Sequence, residues 1–193
     1  MKKEKIYVVL TRTNSGLSNA VKLITKDKYT HAAISLDKEL NEMYGFSRKY
    51  TYNPFIGVFK KENVTKGLYK HQKVLPGSII EIEVTKEQYI KFKTIIDEFI
   101  INSYRYKYNP KGLIYVLLNK EMSVENKFLC SEFVYYILNQ CGIVEWDMPA
   151  NLIRPQQLLN LPGRIVYEGD LKEIMYGEKM PYLEKTQYLL DIQ

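Results

Sequence analysis

A cysteine and a histidine in this chain sit where nucleophilic chemistry could be built. Cys130 lies where the short run Lys127-Phe128-Leu129 gives way to an amphipathic stretch, Cys130-Ser131-Glu132-Phe133-Val134-Tyr135-Tyr136-Ile137-Leu138. The first N–H groups of a helix have no partner within it, and the dipole is positive at that end. A sulfur placed there is favoured as the thiolate, the form that attacks carbonyl carbon. It also needs a base, and the chain has only two histidines. His71, in Tyr69-Lys70-His71-Gln72-Lys73, reads as a surface loop residue. His31 opens the apolar run Thr30-His31-Ala32-Ala33-Ile34-Ser35-Leu36, at the mouth of a predicted strand whose small residues leave room for another element. An imidazole can accept a thiol proton and return it to a leaving amine, so the pair suffices for acyl transfer. Spacing alone keeps a second reading open. Cys130 shares a helical face with Val134, Ile137, Leu138 and Cys141, as an inert core cysteine would. Composition and periodicity do not show that thiol and imidazole meet.

Cys141 reads as core packing. Eleven residues separate it from Cys130, roughly 16 Å of rise on one helix. A disulfide needs Cα atoms within about 7 Å, so neither a bridge nor a shared zinc ion is expected. Unpaired cysteines fit a reducing compartment.

The elements that must position these residues are legible in outline. Ile6 to Thr11 reads as a strand, and Ser15 or Ser18 could cap a helix to about Thr25 with Leu17, Val21 and Ile24 on one face. Tyr29–Asp37 and Leu40–Phe46 read as a hairpin about the turn Asp37-Lys38-Glu39. Residues 47–77, broken by Pro54, Gly57, Gly67, Pro76 and Gly77, read as a long surface excursion. Ser78 to Val84 alternates as a strand. Thr85-Lys86-Glu87-Gln88 matches a capping box opening a helix to about Asn102, with Tyr89, Phe92, Ile96, Phe99 and Ile100 as its apolar stripe. An aromatic loop, 104–110, leads to the apolar segment Leu113–Leu118 and a polar connector, 122–127. The Cys130 helix should stop at Gly142. A short helix after Arg154-Pro155 and a strand from Arg164 to Glu168 complete the chain.

At 193 residues, with 46% apolar and 26% charged residues, the chain reads as one soluble domain. Its longest apolar run, Leu113–Leu118, cannot span a bilayer. The N-terminal stretch is too short for a signal peptide, so a cytoplasmic location is expected. The net charge of +6 comes from lysines spread along the chain. It reads as composition bias; no nucleic-acid partner is expected, and peripheral contact with an anionic membrane is left open.

Three segments, Tyr29-Thr30-His31-Ala32-Ala33-Ile34-Ser35-Leu36-Asp37, Met43-Tyr44-Gly45-Phe46-Ser47-Arg48-Lys49 and Phe128-Leu129-Cys130-Ser131-Glu132-Phe133, together resemble the circularly permuted papain-like NlpC-type family, nearest its YiiX-like group. The resemblance spans roughly residues 5 to 170, and the order, histidine strand before nucleophile helix, is that family's. It implies an α+β papain-like fold, a central antiparallel sheet packed against helices, formed by residues 1–193 as a single permuted domain. It further implies Cys130 as nucleophile, His31 as general base, and a third polar residue on the neighbouring strand to orient the imidazole. Glu42 is the only carboxylate on that predicted strand after the turn and is the candidate; a one-residue register change would bring Met43 or Tyr44 alongside instead. Where related chains favour Ser after the Tyr, this one has Gly45. The oxyanion hole would combine the Cys130 N–H with one further donor, Tyr7 being a candidate. Tyr44 is a candidate for lining the substrate site, and Tyr104, Tyr106 and Tyr108 either line an apolar channel or simply pack.

The expectation is therefore a thiol amidase, peptidase or acyl hydrolase needing no metal or organic cofactor. Its substrate would be a small cell-wall-type peptide amide or a lipid or N-acyl group. The alternatives are a non-catalytic binding domain retaining the fold and a basic membrane-surface protein.

Overall fold

The computed structural model describes residues 3–13, 23, 25–50, 53, 56–67 and 69–174. Its strands are β1 (Glu4–Thr11), β2 (His31–Ser35), β3 (Met43–Arg48), β4 (Gly57–Glu62), β5 (Pro76–Val84), β6 (Lys107–Tyr108), β7 (Lys127–Phe128) and β8 (Arg164–Asp170). They form one eight-stranded sheet in the order β7-β6-β4-β3-β2-β1-β5-β8, antiparallel except between β6 and β7. The helices are α1 (Lys86–Ile101), α2 (Pro110–Leu117) and α3 (Cys130–Gln140), making a mixed α+β architecture.

Both faces of the central strands are covered, which explains the unbroken apolar run Ile6–Leu10. On one face Val8, Leu10, Ala32, Ile34 and Phe46 pack against Phe92, Ile96 and Phe99 of α1 and Phe133, Val134 and Ile137 of α3. On the other, Tyr7, Val9, Ala33 and Met43 meet Leu40, Val64, Tyr69, Leu75 and Leu171 from connecting segments. Beneath α3, Phe46, Phe59, Phe99 and Phe133 form a knot of tilted and edge-on rings with centroids 5.1 to 6.4 Å apart. Such pairs add about 0.5–1.5 kcal/mol each beyond their buried area. The knot fixes α3 against β3 and β4, the strands beside the site.

Local rules account for the helix ends. Thr85 Oγ1 accepts the Gln88 N–H at 3.2 Å and the Gln88 side chain accepts the Thr85 N–H at 3.0 Å, as the capping box requires. Asn109 Oδ1 accepts the Gly112 N–H at 3.0 Å and Pro110 opens α2. α3 stops as expected, with Cys141 as its C-cap and Gly142 following at φ +65°. Phe92, Ile96 and Phe99 are buried, whereas Ile100, one residue round the helix from Phe99, is exposed.

The largest departure from expectation lies in residues 47–77. This segment is not merely a surface excursion: β4 pairs along its whole length with β3, from Met43↔Glu62 to Arg48↔Gly57. Gly57 does not break the strand. It permits close approach, since a Cβ there would stand 2.7 Å from the Tyr108 ring. β3 also starts later than expected, because Leu40 adopts φ +60° in a turn held by the Asp37 carboxylate, which accepts the N–H groups of Asn41 and Glu42. The helix expected from Ser15 or Ser18 falls almost wholly outside the described residues. Among the described residues, no helix is long and apolar enough to cross a membrane.

Candidate active site

The site forms where the sheet splits. β2 pairs with β1 from His31 to Ser35 but with β3 only at Ile34↔Tyr44 and Ser35↔Met43. The first half of β2 therefore offers backbone groups to something other than β3. The N-terminus of α3 enters there, and the Cys130 sulfur accepts the N–H of Ala32 as well as that of Ser131. The N-cap, Leu129, is extended and contributes no side-chain cap, so Cys130 stands first in the helix with the open N–H groups of its opening turn. Desolvation at this half-buried position opposes a charged sulfur. The His31 ring, which bonds it and carries positive charge, together with these N–H groups, brings the thiol below its ordinary value.

His31 is the first residue of β2. Its Nε2 lies 3.1 Å from both Glu62 oxygens, which leaves Nδ1 for the sulfur. Burial alone would push the imidazole down. The Glu62 carboxylate and the Cys130 sulfur overcome that and raise it to about 10. Glu62, with its side chain only 1% exposed, also accepts the Tyr69 hydroxyl at 2.8 Å. Burial works against its charge, yet the imidazolium and the hydrogen bonds from His31 and Tyr69 hold it below the usual carboxylate range. Tyr69, raised well above 10 by burial and by Glu62, stays a donor, and Thr11 Oγ1 stands 3.5 Å behind it. The result is a chain, Cys130–His31–Glu62–Tyr69, half-buried at the thiol and ring and buried at the carboxylate and phenol, whose contacts favour thiolate, imidazolium and carboxylate.

Gly45 makes room for it. A Cβ at this position would lie 2.5 Å from Glu62 Oε1 and 3.3 Å from the Ala33 Cβ. The missing side chain on β3 is thus the space into which the carboxylate of β4 reaches.

Three sequence-derived candidates lie elsewhere. Glu42 precedes β3 and gives its carboxylate to Tyr44 and Lys61 at the surface, so it does not orient His31; Glu62, one strand further out, does. Tyr7 points its hydroxyl at Glu81, 3.3 Å away, on the far side of β1, and supplies no oxyanion donor. Tyr44 stacks on Phe59 and does not line the cavity that contains Cys130. Of the loop tyrosines, Tyr108 lines that cavity, Tyr106 stacks on Phe99 with centroids 3.9 Å apart, and Tyr104 is exposed. His71 is exposed, and Cys141 is buried with its thiol pushed up to about 11.

The cavity has a volume of about 250 Å³. Phe46, Tyr108, Leu113, Val116, Leu129 and Ile153 give it an apolar wall, and Arg48, Lys60, Lys66 and Arg154 stand around it. The Ser47 hydroxyl, also on the wall, is buried without a hydrogen-bond partner. Two residues after Cys130, Glu132 accepts the Leu129 N–H at 3.0 Å, and burial pushes its carboxyl up to about 7 despite that bond. Among the described residues, no group of three or more His, Cys, Asp or Glu side chains is arranged to hold a metal ion.

The chain matches no protein-family model, no curated protein and no solved structure. The chemistry of the site rests on its own geometry. Glu62 and Tyr69 escaped the sequence reading because both lie between the punctuating Pro54 and Gly77. The available signal was the β-forming run Ile56-Gly57-Val58-Phe59 followed by a lone carboxylate after two lysines.

Proposed function

We propose that the protein is a cysteine hydrolase of amide or ester bonds. The observation that carries this reading is a single sulfur receiving an imidazole and two backbone N–H groups, with a buried carboxylate on the ring's other edge. The resemblance of the His31 and Cys130 segments to permuted papain-like enzymes supports it. In the reaction, the Cys130 thiolate adds to the substrate carbonyl carbon. The oxyanion is met by the Cys130 N–H at the start of the helix. His31 gives its proton to the departing amine or alcohol, leaving an acyl thioester on Cys130. Water then attacks the thioester and passes a proton to the neutral ring, and the carboxylic acid leaves as the thiolate returns. Glu62 holds the ring in orientation and stabilises its charge throughout.

The apolar wall favours an acyl chain over a polar peptide as the group taken into the cavity. The test is a panel of nitrophenyl esters and anilides with acyl chains of increasing length, set beside a short cell-wall-type peptide. The wild type should release product and show the acyl mass on Cys130, with longer chains preferred. Cys130→Ala should do neither. Turnover of no substrate, with no acyl adduct on intact protein, would leave the non-catalytic binding domain as the better account.

A further inference from the structure

From Leu113 onward, helix α2 and its C-cap Leu118 are apolar all the way round. Leu113, Val116 and Leu117 line the Cys130 cavity, while Ile114 and Leu118, four residues apart and so on one face, are 58% and 59% exposed. A helix wetted on such a face ordinarily carries polar residues there. The exposed charges around it are mostly positive, as an anionic surface requires. Between residues 105 and 127, Arg105, Lys107, Lys111, Lys120 and Lys127 are exposed against only Glu121 and Glu125. None of the five cations joins a salt bridge among the described residues. The β6–β7 register sets Lys107 directly beside Lys127, two like charges that an anion would relieve. Lys111 lies three residues before Ile114 and seven before Leu118, which puts a cation at the N-terminal rim of the same face.

We propose that α2 is an interfacial helix that docks the protein on an anionic lipid bilayer. Ile114 and Leu118 enter the headgroup–acyl boundary and the flanking cations meet lipid phosphates. Six consecutive apolar residues, Leu113–Leu118, are far short of the roughly 20 needed to span. A second copy of this chain is the poorer occupant, because it would bring the same cluster of cations against itself. Because the opposite side of α2 walls the cavity, docking sets the nucleophile's cavity beside the lipid layer. The docking itself does not depend on hydrolysis.

The full chain is sedimented with phosphatidylcholine vesicles and with vesicles in which a third of the lipid is phosphatidylglycerol. Binding to the anionic vesicles should be at least tenfold tighter and should weaken severalfold in 0.5 M salt. The double variant Ile114→Asp/Leu118→Asp should lose at least tenfold while melting like the wild type, and Lys107→Glu/Lys127→Glu should lose binding with its apolar face intact. Cys130→Ala should bind unchanged, which separates this result from the fate of the hydrolase reading. Equal binding to both vesicles, unchanged binding of both double variants, or concentration-dependent self-association abolished by Ile114→Asp/Leu118→Asp would overturn the proposal.

Discussion

Replacing Glu62 with glutamine isolates the charge behind the histidine. The carboxylate and Nε2 are 3.1 Å apart. Two unit charges at that separation attract by about 5 kcal/mol at an effective dielectric of about 20. That is a bias of about ten-thousandfold toward the protonated ring, at 1.36 kcal/mol per factor of ten. Burial opposes it, and the balance, with the sulfur's help, leaves the wild-type imidazole protonated up to about pH 10. Glutamine keeps the shape and an acceptor but not the charge. In Glu62→Gln the His31 midpoint should therefore fall by at least about two pH units. The Cys130 thiol should rise toward its ordinary range, because a neutral ring no longer stabilises the thiolate. Imidazole-resolved NMR titration measures this directly: the chain has two histidines, and exposed His71 serves as internal reference. Glu42→Gln, at the surface with Lys61 and Tyr44, should leave the His31 curve unchanged. A His31 curve that superimposes for wild type and Glu62→Gln, or that moves only in Glu42→Gln, would refute the reasoning.

Two further outcomes follow from individual contacts. Gly45→Ala puts a methyl 2.5 Å from Glu62 Oε1 and should displace the carboxylate; iodoacetamide labelling of Cys130 at pH 6.5 should slow by at least about tenfold, the equivalent of about 1.4 kcal/mol. Glu132 titrates at about 7 when folded, above the ordinary carboxylate value, so its contribution to stability is present at low pH and lost as pH rises through 7. Glu132→Gln should therefore be more stable than wild type at pH 8, by about 3 kcal/mol, and similar near pH 4.5, as read from urea midpoints.

What the sequence disclosed depended on how local the determining contacts are. The Thr85 capping box, the Gly142 stop and the helical start at Cys130 are decided within a few residues, and each lies where periodicity and capping placed it. His31 at the mouth of β2 was legible for the same reason. Glu62 was not, because β4 exists through its pairing with β3 rather than through its own propensity: Gly57 and three charged residues weaken it in isolation. The carboxylate on the adjacent predicted strand, Glu42, drew the assignment instead. Only the three-dimensional register shows that the absence of a side chain at Gly45 lets a residue of the next strand reach the imidazole. Tyr69 lies in a 3-10 turn that no periodic pattern announces. The split between β2 and β3, which directs the Ala32 N–H to sulfur, likewise has no signature in composition.

The central claim is that Cys130 is held as a thiolate beside the His31 imidazolium near neutral pH. Alkylation of the native protein with iodoacetamide from pH 5 to 9, read at each cysteine by mass spectrometry, tests it most directly. Cys130 should reach its full rate at a lower pH than an ordinary thiol does, while buried Cys141, its thiol pushed up to about 11, stays unlabelled. A Cys130 rate that climbs about tenfold per pH unit toward the ordinary thiol range near 8.5, or that never exceeds that of Cys141, would contradict it.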